Sequence, residues 1–267
     1  MTSRISLIFG LLIAAGIIIS GCKGSSTDSN NNNDTTHANI GDTIPGLHSQ
    51  YFFQKSQLDL NNNIIPTVSR NISADVVDVG YPILGKNNTY AVFLDGDTNY
   101  FAYESNSDVS IYFYNPGYLK NFREGEQIDE PLQAIVNVIF KNWVTLPIAS
   151  KKTITLYNGT TTVDINGKFP AAIQGTAEFI GDSTIVIKNG GTDVSLAAKH
   201  CRITISANVT FGTVQKTFTH IRDIWFVPKI GYFARQMTRT SVPEYTIQLV
   251  KVDTTATLTT LQSYIFR

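Results

Sequence analysis

Alternation is the feature that most constrains this chain. Ile203, Ile205, Ala207 and Val209 are interleaved with Thr204, Ser206, Asn208 and Thr210. A period of two sends successive side chains to opposite faces, so the segment predicts a strand with one apolar and one wet face. The pattern recurs along the chain. Thr184-Ile185-Val186-Ile187 runs into Asn189-Gly190-Gly191, Thr153 to Tyr157 into Asn158-Gly159, and Thr162 to Ile165 into Asn166-Gly167. Asn-Gly and Gly-Gly tolerate the positive φ that tight hairpins need, so each pair reads as a strand followed by a turn. Further strands are expected over 50–55, 74–79, 89–94, 99–104, 109–114, 245–250 and 261–266. Neighbouring strands joined by short turns pair antiparallel. The expected fold is therefore all-β and mainly antiparallel: a curved sheet, a sandwich or a half-barrel.

One segment carries two signals. Pro131 suits the first turn of a helix starting at Glu130. The following Ala134-Ile135-Val136-Asn137-Val138-Ile139-Phe140 is dense in β-branched residues, which favours a strand, and a strand is the expectation.

The N-terminus is of a different kind. An apolar run from Ile5 to Ile19 follows a single cation, Arg4. A bilayer-spanning helix needs about 20 apolar residues, whereas a signal-peptide core needs about 7–15 with small residues at the cut. Ile19-Ser20-Gly21-Cys22 ends the run and resembles the lipobox of bacterial lipoproteins. The resemblance implies cleavage before Cys22, recognition through Ile19, Ser20 and Gly21, and lipid on Cys22. It makes the lipid bilayer a partner through several acyl chains and places the protein in the bacterial cell envelope. Lys23, where an Asp would retain a lipoprotein in the inner membrane, favours the outer membrane. Residues 22–41 form a Ser- and Asn-rich stretch with almost nothing apolar to bury, expected to be a flexible tether reaching about 20–25 Å. Residues 42–267 then form the β-rich part, as one domain or as two sub-domains dividing near 150.

Composition narrows the function. The chain has 21 basic and 21 acidic side chains, with no basic block, which argues against binding nucleic acid. With Cys22 used by the anchor, Cys201 has no partner for a disulfide. It adjoins His200, but adjacent strand residues point to opposite faces, so the two do not converge on one atom and Cys201 reads as a small buried hydrophobe. There is no nucleophile elbow, zinc-protease helix or phosphate loop. The histidines His37, His48, His200 and His220 lack metal-site spacing, and no cofactor is expected. Asp95-Gly96-Asp97 reads as a hairpin turn rather than a calcium loop, and Glu124, Glu126, Asp129 and Glu130 as an acidic surface loop. Aromatics crowd one stretch, from Tyr100 to Phe122. Tyr100, Tyr103, Tyr112 and Tyr114 are the residues read as ligand-facing, since aromatic faces bind sugars and lipids.

Near the C-terminus, Trp225-Phe226-Val227-Pro228-Lys229-Ile230-Gly231-Tyr232 and Leu261-Gln262-Ser263-Tyr264 resemble segments of uncharacterised β-rich envelope lipoproteins. More distantly they resemble the curved sheets of outer-membrane lipoprotein carriers and receptors. Pro228 and Gly231 suit a tight connection between strands, with Trp225 packing beneath it. The leading functional expectation is a non-enzymatic β domain that binds a hydrophobic or glycan ligand or an envelope protein. A surface hydrolase acting on glycans or peptides and a structural subunit of an envelope assembly are the alternatives.

Overall fold

The computed structural model describes residues 44–94, 96–113, 130–164, 167–243 and 253–267. Twelve strands form one antiparallel sheet: β1 (Gln50–Leu58), β2 (Ile64–Val79), β3 (Thr89–Leu94), β4 (Asp97–Tyr103), β5 (Val109–Phe113), β6 (Val144–Leu146), β7 (Thr153–Asp164), β8 (Lys168–Asn189), β9 (Thr192–Phe211), β10 (Val214–Val227), β11 (Tyr232–Val242) and β12 (Asp253–Ile265). Their order across the sheet is β6-β5-β4-β3-β2-β1-β12-β11-β10-β9-β8-β7. Two meanders, one from β1 to β6 and one from β7 to β11, are thus joined through β12, which pairs with β1 on one side and β11 on the other. The sheet curls until β6 approaches β7 and β8, so it is a nearly closed half-barrel. A single curved sheet, and not two sheets face to face, is the form the alternation takes.

The alternation sorts as expected along β9. Cys201, Ile203, Ile205, Ala207 and Val209 are buried, while Thr204, Ser206 and Asn208 keep contact with water. The turn at Gly190 and Gly191 has φ of 59° and 86°, the left-handed backbone that joins β8 to β9. Gly96, between β3 and β4, is also left-handed at φ 91°. Asn158-Gly159 differs from expectation. β7 runs straight through it, because Gly159 is not among the positive-φ glycines and the Tyr157 ring lies over it. The strand instead accommodates a bulge between Thr155 and Tyr157.

β8 and β9 are longer than their neighbours. β7 pairs with β8 only as far as Glu178, and β10 pairs with β9 only from Lys199 onward. The remainder, Asp182–Asn189 with Thr192–Lys199, forms a two-stranded arm. Its Ile185, Ile187, Leu196 and Ala198 are buried, and Asn189 Oδ1 accepts the Tyr264 N–H at 3.1 Å, so the tip rests on β12.

The segment expected as a strand at 134–140 is instead a helix, α1 (Glu130–Phe140). Among its described side chains, Ile135, Val136, Ile139 and Phe140 are buried, the i, i+1, i+4, i+5 spacing of a helical stripe. Burial of that stripe outweighs the modest cost of β-branched residues in a helix. α1 packs against β7 and β8 beside the gap in the barrel. A Cβ on Gly175 would lie 2.2 Å from Ile139 Cδ1, so the missing side chain on β8 is what admits the helix.

Candidate functional site

Two walls of the half-barrel carry polar and aromatic groups in unusual surroundings. The inner wall is an aromatic core. Tyr232 stacks on Tyr51 at 4.8 Å and meets Phe53 and Phe101 edge-on at 5.9 and 5.3 Å. Tyr90 stacks on Phe101 at 5.2 Å. From the motif that runs from Trp225 to Tyr232, Phe226, Ile230 and Tyr232 are buried in or beside this core. Pro228–Ile230 form one 3-10 turn, closed by Gly231 in the left-handed region at φ 63° with its N–H donating to the Pro228 carbonyl. Two tyrosine hydroxyls hold the turn: Tyr51 donates to the Ile230 carbonyl and Tyr90 to the Gly231 carbonyl, both at 2.6 Å. Burial pushes both phenols up, well away from ionisation at neutral pH. They remain neutral donors to carbonyls that a strand ladder no longer serves.

Further along the inner face of β10 lie His220 and Arg222. Arg222 is fully buried, its guanidinium 4.9 Å from the Phe113 ring centre and 5.1 Å from that of Phe140. His220 Nδ1 hydrogen-bonds Thr240 Oγ1 at 3.2 Å, and Phe140 meets its ring edge-on. Burial, then the nearby Arg222 charge, lowers the imidazole to about 3, so it is neutral in the folded protein at ordinary pH.

The outer wall of the same strand bears Asp223 and Trp225. The Asp223 carboxylate accepts from His200 Nε2 at 2.8 Å and from Arg202 Nε at 2.9 Å. The Trp225 indole lies between the His200 ring, 4.1 Å away and nearly parallel, and the Arg235 guanidinium at 5.5 Å. Both faces of this indole are covered, so it has no open face for a sugar. Trp225 thus packs on the outside of the barrel rather than beneath the 3-10 turn.

A second outer cluster spans β4 to β6. Tyr100 and Tyr112 are cross-strand neighbours with ring centres 6.4 Å apart. Trp143, just before β6, follows at 5.6 Å from Tyr112. Lys86 Nζ lies 5.4 Å over the indole, and Trp143 Nε1 donates to the Leu84 carbonyl at 3.4 Å. Leu84, whose carbonyl accepts from the indole, is 62% exposed.

Of the aromatics singled out in the sequence, Tyr100 and Tyr112 therefore stand together outside. Tyr103 lies on the other face, beside Tyr90 at 6.4 Å and Phe226 at 6.3 Å. Tyr114 lies outside the described residues, as do Ile19, Ser20, Gly21, Cys22, Glu124, Glu126, Asp129 and the 245–250 segment. Cys201 is buried, and burial with the nearby Asp108 charge pushes its thiol up to about 12. His200 and His220 occupy opposite walls and do not converge. Among the described residues, no group of three or more His, Cys, Asp and Glu gathers as a metal site would require. Trp143 escaped the sequence reading as a site residue. Its partners Lys86 and Leu84 come from a loop far away in sequence, and no local spacing marks such a contact.

The architecture defines a class: a nearly closed antiparallel half-barrel with one helix at its gap. Among solved structures, similarity is found to a candidate lipoprotein from Parabacteroides distasonis (12% identity, TM-score 0.35, covering 83% of this chain and 96% of that one). It extends to a candidate exported protein with YmcC-like fold from Bacteroides fragilis (11% identity, TM-score 0.38, 83% and 97%). A third is the hypothetical lipoprotein YmcC from Escherichia coli (12% identity, TM-score 0.27, 83% and 85%). No protein-family model and no curated protein matches the chain.

Proposed function

We propose that this chain is a lipid-anchored protein of the bacterial cell envelope, held at Cys22 in the outer membrane, whose half-barrel binds a glycan along its outer wall. The anchor rests on Ile19-Ser20-Gly21-Cys22 after the short apolar run. The binding reading is carried by the row Tyr100–Tyr112–Trp143, with Lys86 at its end. Aromatic rings with an apolar body and a polar tip suit ligands that are themselves partly apolar and partly wet. The inner wall supports this choice by contrast, since Tyr51, Tyr90, Phe101 and Tyr232 are buried and packed against one another.

Intrinsic fluorescence tests the binding reading. The chain has two tryptophans, so a Trp225→Phe background isolates Trp143. Titration of the full-length protein with soluble oligomers of N-acetylglucosamine and of glucose should change Trp143 emission saturably, and Tyr112→Ala should abolish the change. A flat response to both oligomer series would overturn the glycan assignment. The anchor has its own test: Cys22→Ser should lose incorporation of radiolabelled palmitate and move the protein from the membrane to the soluble fraction.

A further inference from the structure

The two edges of the sheet are unequal. β6 has three residues, a length that leaves little to pair with. β7 has twelve and pairs only with β8 among the described strands. β6 and α1 both approach β7; neither forms a ladder with it, α1 inserts Ile139 toward Gly175 on the inner face, and β6 is too short to cover the edge. Natural edges of this length are usually blunted by charge, proline or a bulge. From Thr153 to Val163 there is no Lys, Arg, Asp, Glu or Pro, and the only such device is the bulge before Tyr157.

We infer that β7 is a self-pairing edge, which joins a second copy of this chain antiparallel about a two-fold axis near Asn158. Charge selects both occupant and direction. The exposed Lys151 and Lys152 precede the uncharged run and the exposed Asp164 ends it. Antiparallel pairing brings the basic end of each copy to the acidic end of the other, twice by symmetry. Parallel pairing would set lysine against lysine and aspartate against aspartate. Lys151 also pairs with Asp182 at 3.3 Å within its own chain, which leaves Lys152 as the cation aimed at the second copy. The interior of the run has no like charges to repel, and threonine favours the extended backbone that the new ladder needs. The contact is isologous and closes on itself, so it ends at two copies instead of growing into a filament. It uses neither the outer aromatic row nor the anchor and is independent of the glycan reading.

A cysteine scan on full-length protein in membranes tests this. Asn158, Thr160 and Thr162 are exposed positions on β7. Single cysteines there, oxidised mildly, should give disulfide-linked dimers with a yield that peaks at the two-fold and falls along the strand. Asn208→Cys, exposed on β9, measures random collision, and the wild type serves as the blank for Cys201 and Cys22. Thr160→Lys in the Asn158→Cys background should abolish the dimer. Lys152→Asp should weaken it, and adding Asp164→Lys should restore it. A flat scan no higher than Asn208→Cys, or a dimer indifferent to Thr160→Lys, would overturn the proposal.

Discussion

Tyr103 and Tyr112 occupy opposite walls of one strand pair, β4 and β5, and their surroundings have little in common. The inner wall surrounds Tyr103 with Tyr90 and Phe226 and continues into a core of rings around Tyr232. The outer wall sets Tyr112, half-buried, between Tyr100 and Trp143. The same residue type packs into the core of rings on one side and into the outer cluster on the other. The strand's period of two decides which, and composition does not.

Mutations can break this contrast. The largest effect is expected from Tyr232→Ala, which empties a fully buried position touching Tyr51, Phe53, Phe101 and Phe233. The loss should be about 3–5 kcal/mol in a urea or thermal melt. Tyr51→Phe keeps the ring and removes the donor to the Ile230 carbonyl, at a cost of about 1–3 kcal/mol in the same melt.

The inner wall also predicts an acid response. His220 titrates near 6.5 when unfolded and at about 3 when folded, so below pH 6.5 the unfolded chain takes up a proton that the folded one refuses. Stability should therefore fall as pH drops from 6.5 toward 3, with His220 contributing up to about 1.4 kcal/mol per pH unit. His220→Gln should flatten the slope, as seen in melts across that range. An unchanged slope would mean that the ring is not buried neutral.

The smallest stability effect belongs to the outer wall. Tyr112→Ala removes a half-buried ring between two others and should cost about 1 kcal/mol, while removing the fluorescence response of Trp143. If Tyr112→Ala melted like Tyr232→Ala, the distinction between the walls would fail.

Alternation made most of the strands legible, including the sorting of Cys201, Ile203 and Ile205 inward. The misreadings have physical causes. Ile135, Val136, Ile139 and Phe140 serve a helix and a strand equally well until Gly175 supplies the recess that admits Ile139. Asn158-Gly159 has the chemistry of a turn, yet the pairing of β7 with β8 keeps it extended. The first half of β8, with Pro170, two alanines and Gly175, carries weak strand signals and becomes a strand between two partners. At the sites, Trp225 was legible as part of a motif, but its sandwich between His200 and Arg235 joins three strands that no local pattern connects.

The place of β12 bears on how the molecule is assembled. Every other adjacent pair in the sheet belongs to a meander that forms from neighbouring sequence, whereas β12 must find β1 across about two hundred residues of chain. Contacts so distant in sequence are slow to form. A chain that emerges N-terminus first therefore passes through an interval as two half-sheets, with β1 and β11 both exposed as open edges. The β12 segment acts as a keystone. Its late arrival sets the period during which the open edges of β1 and β11 are available for wrong pairing.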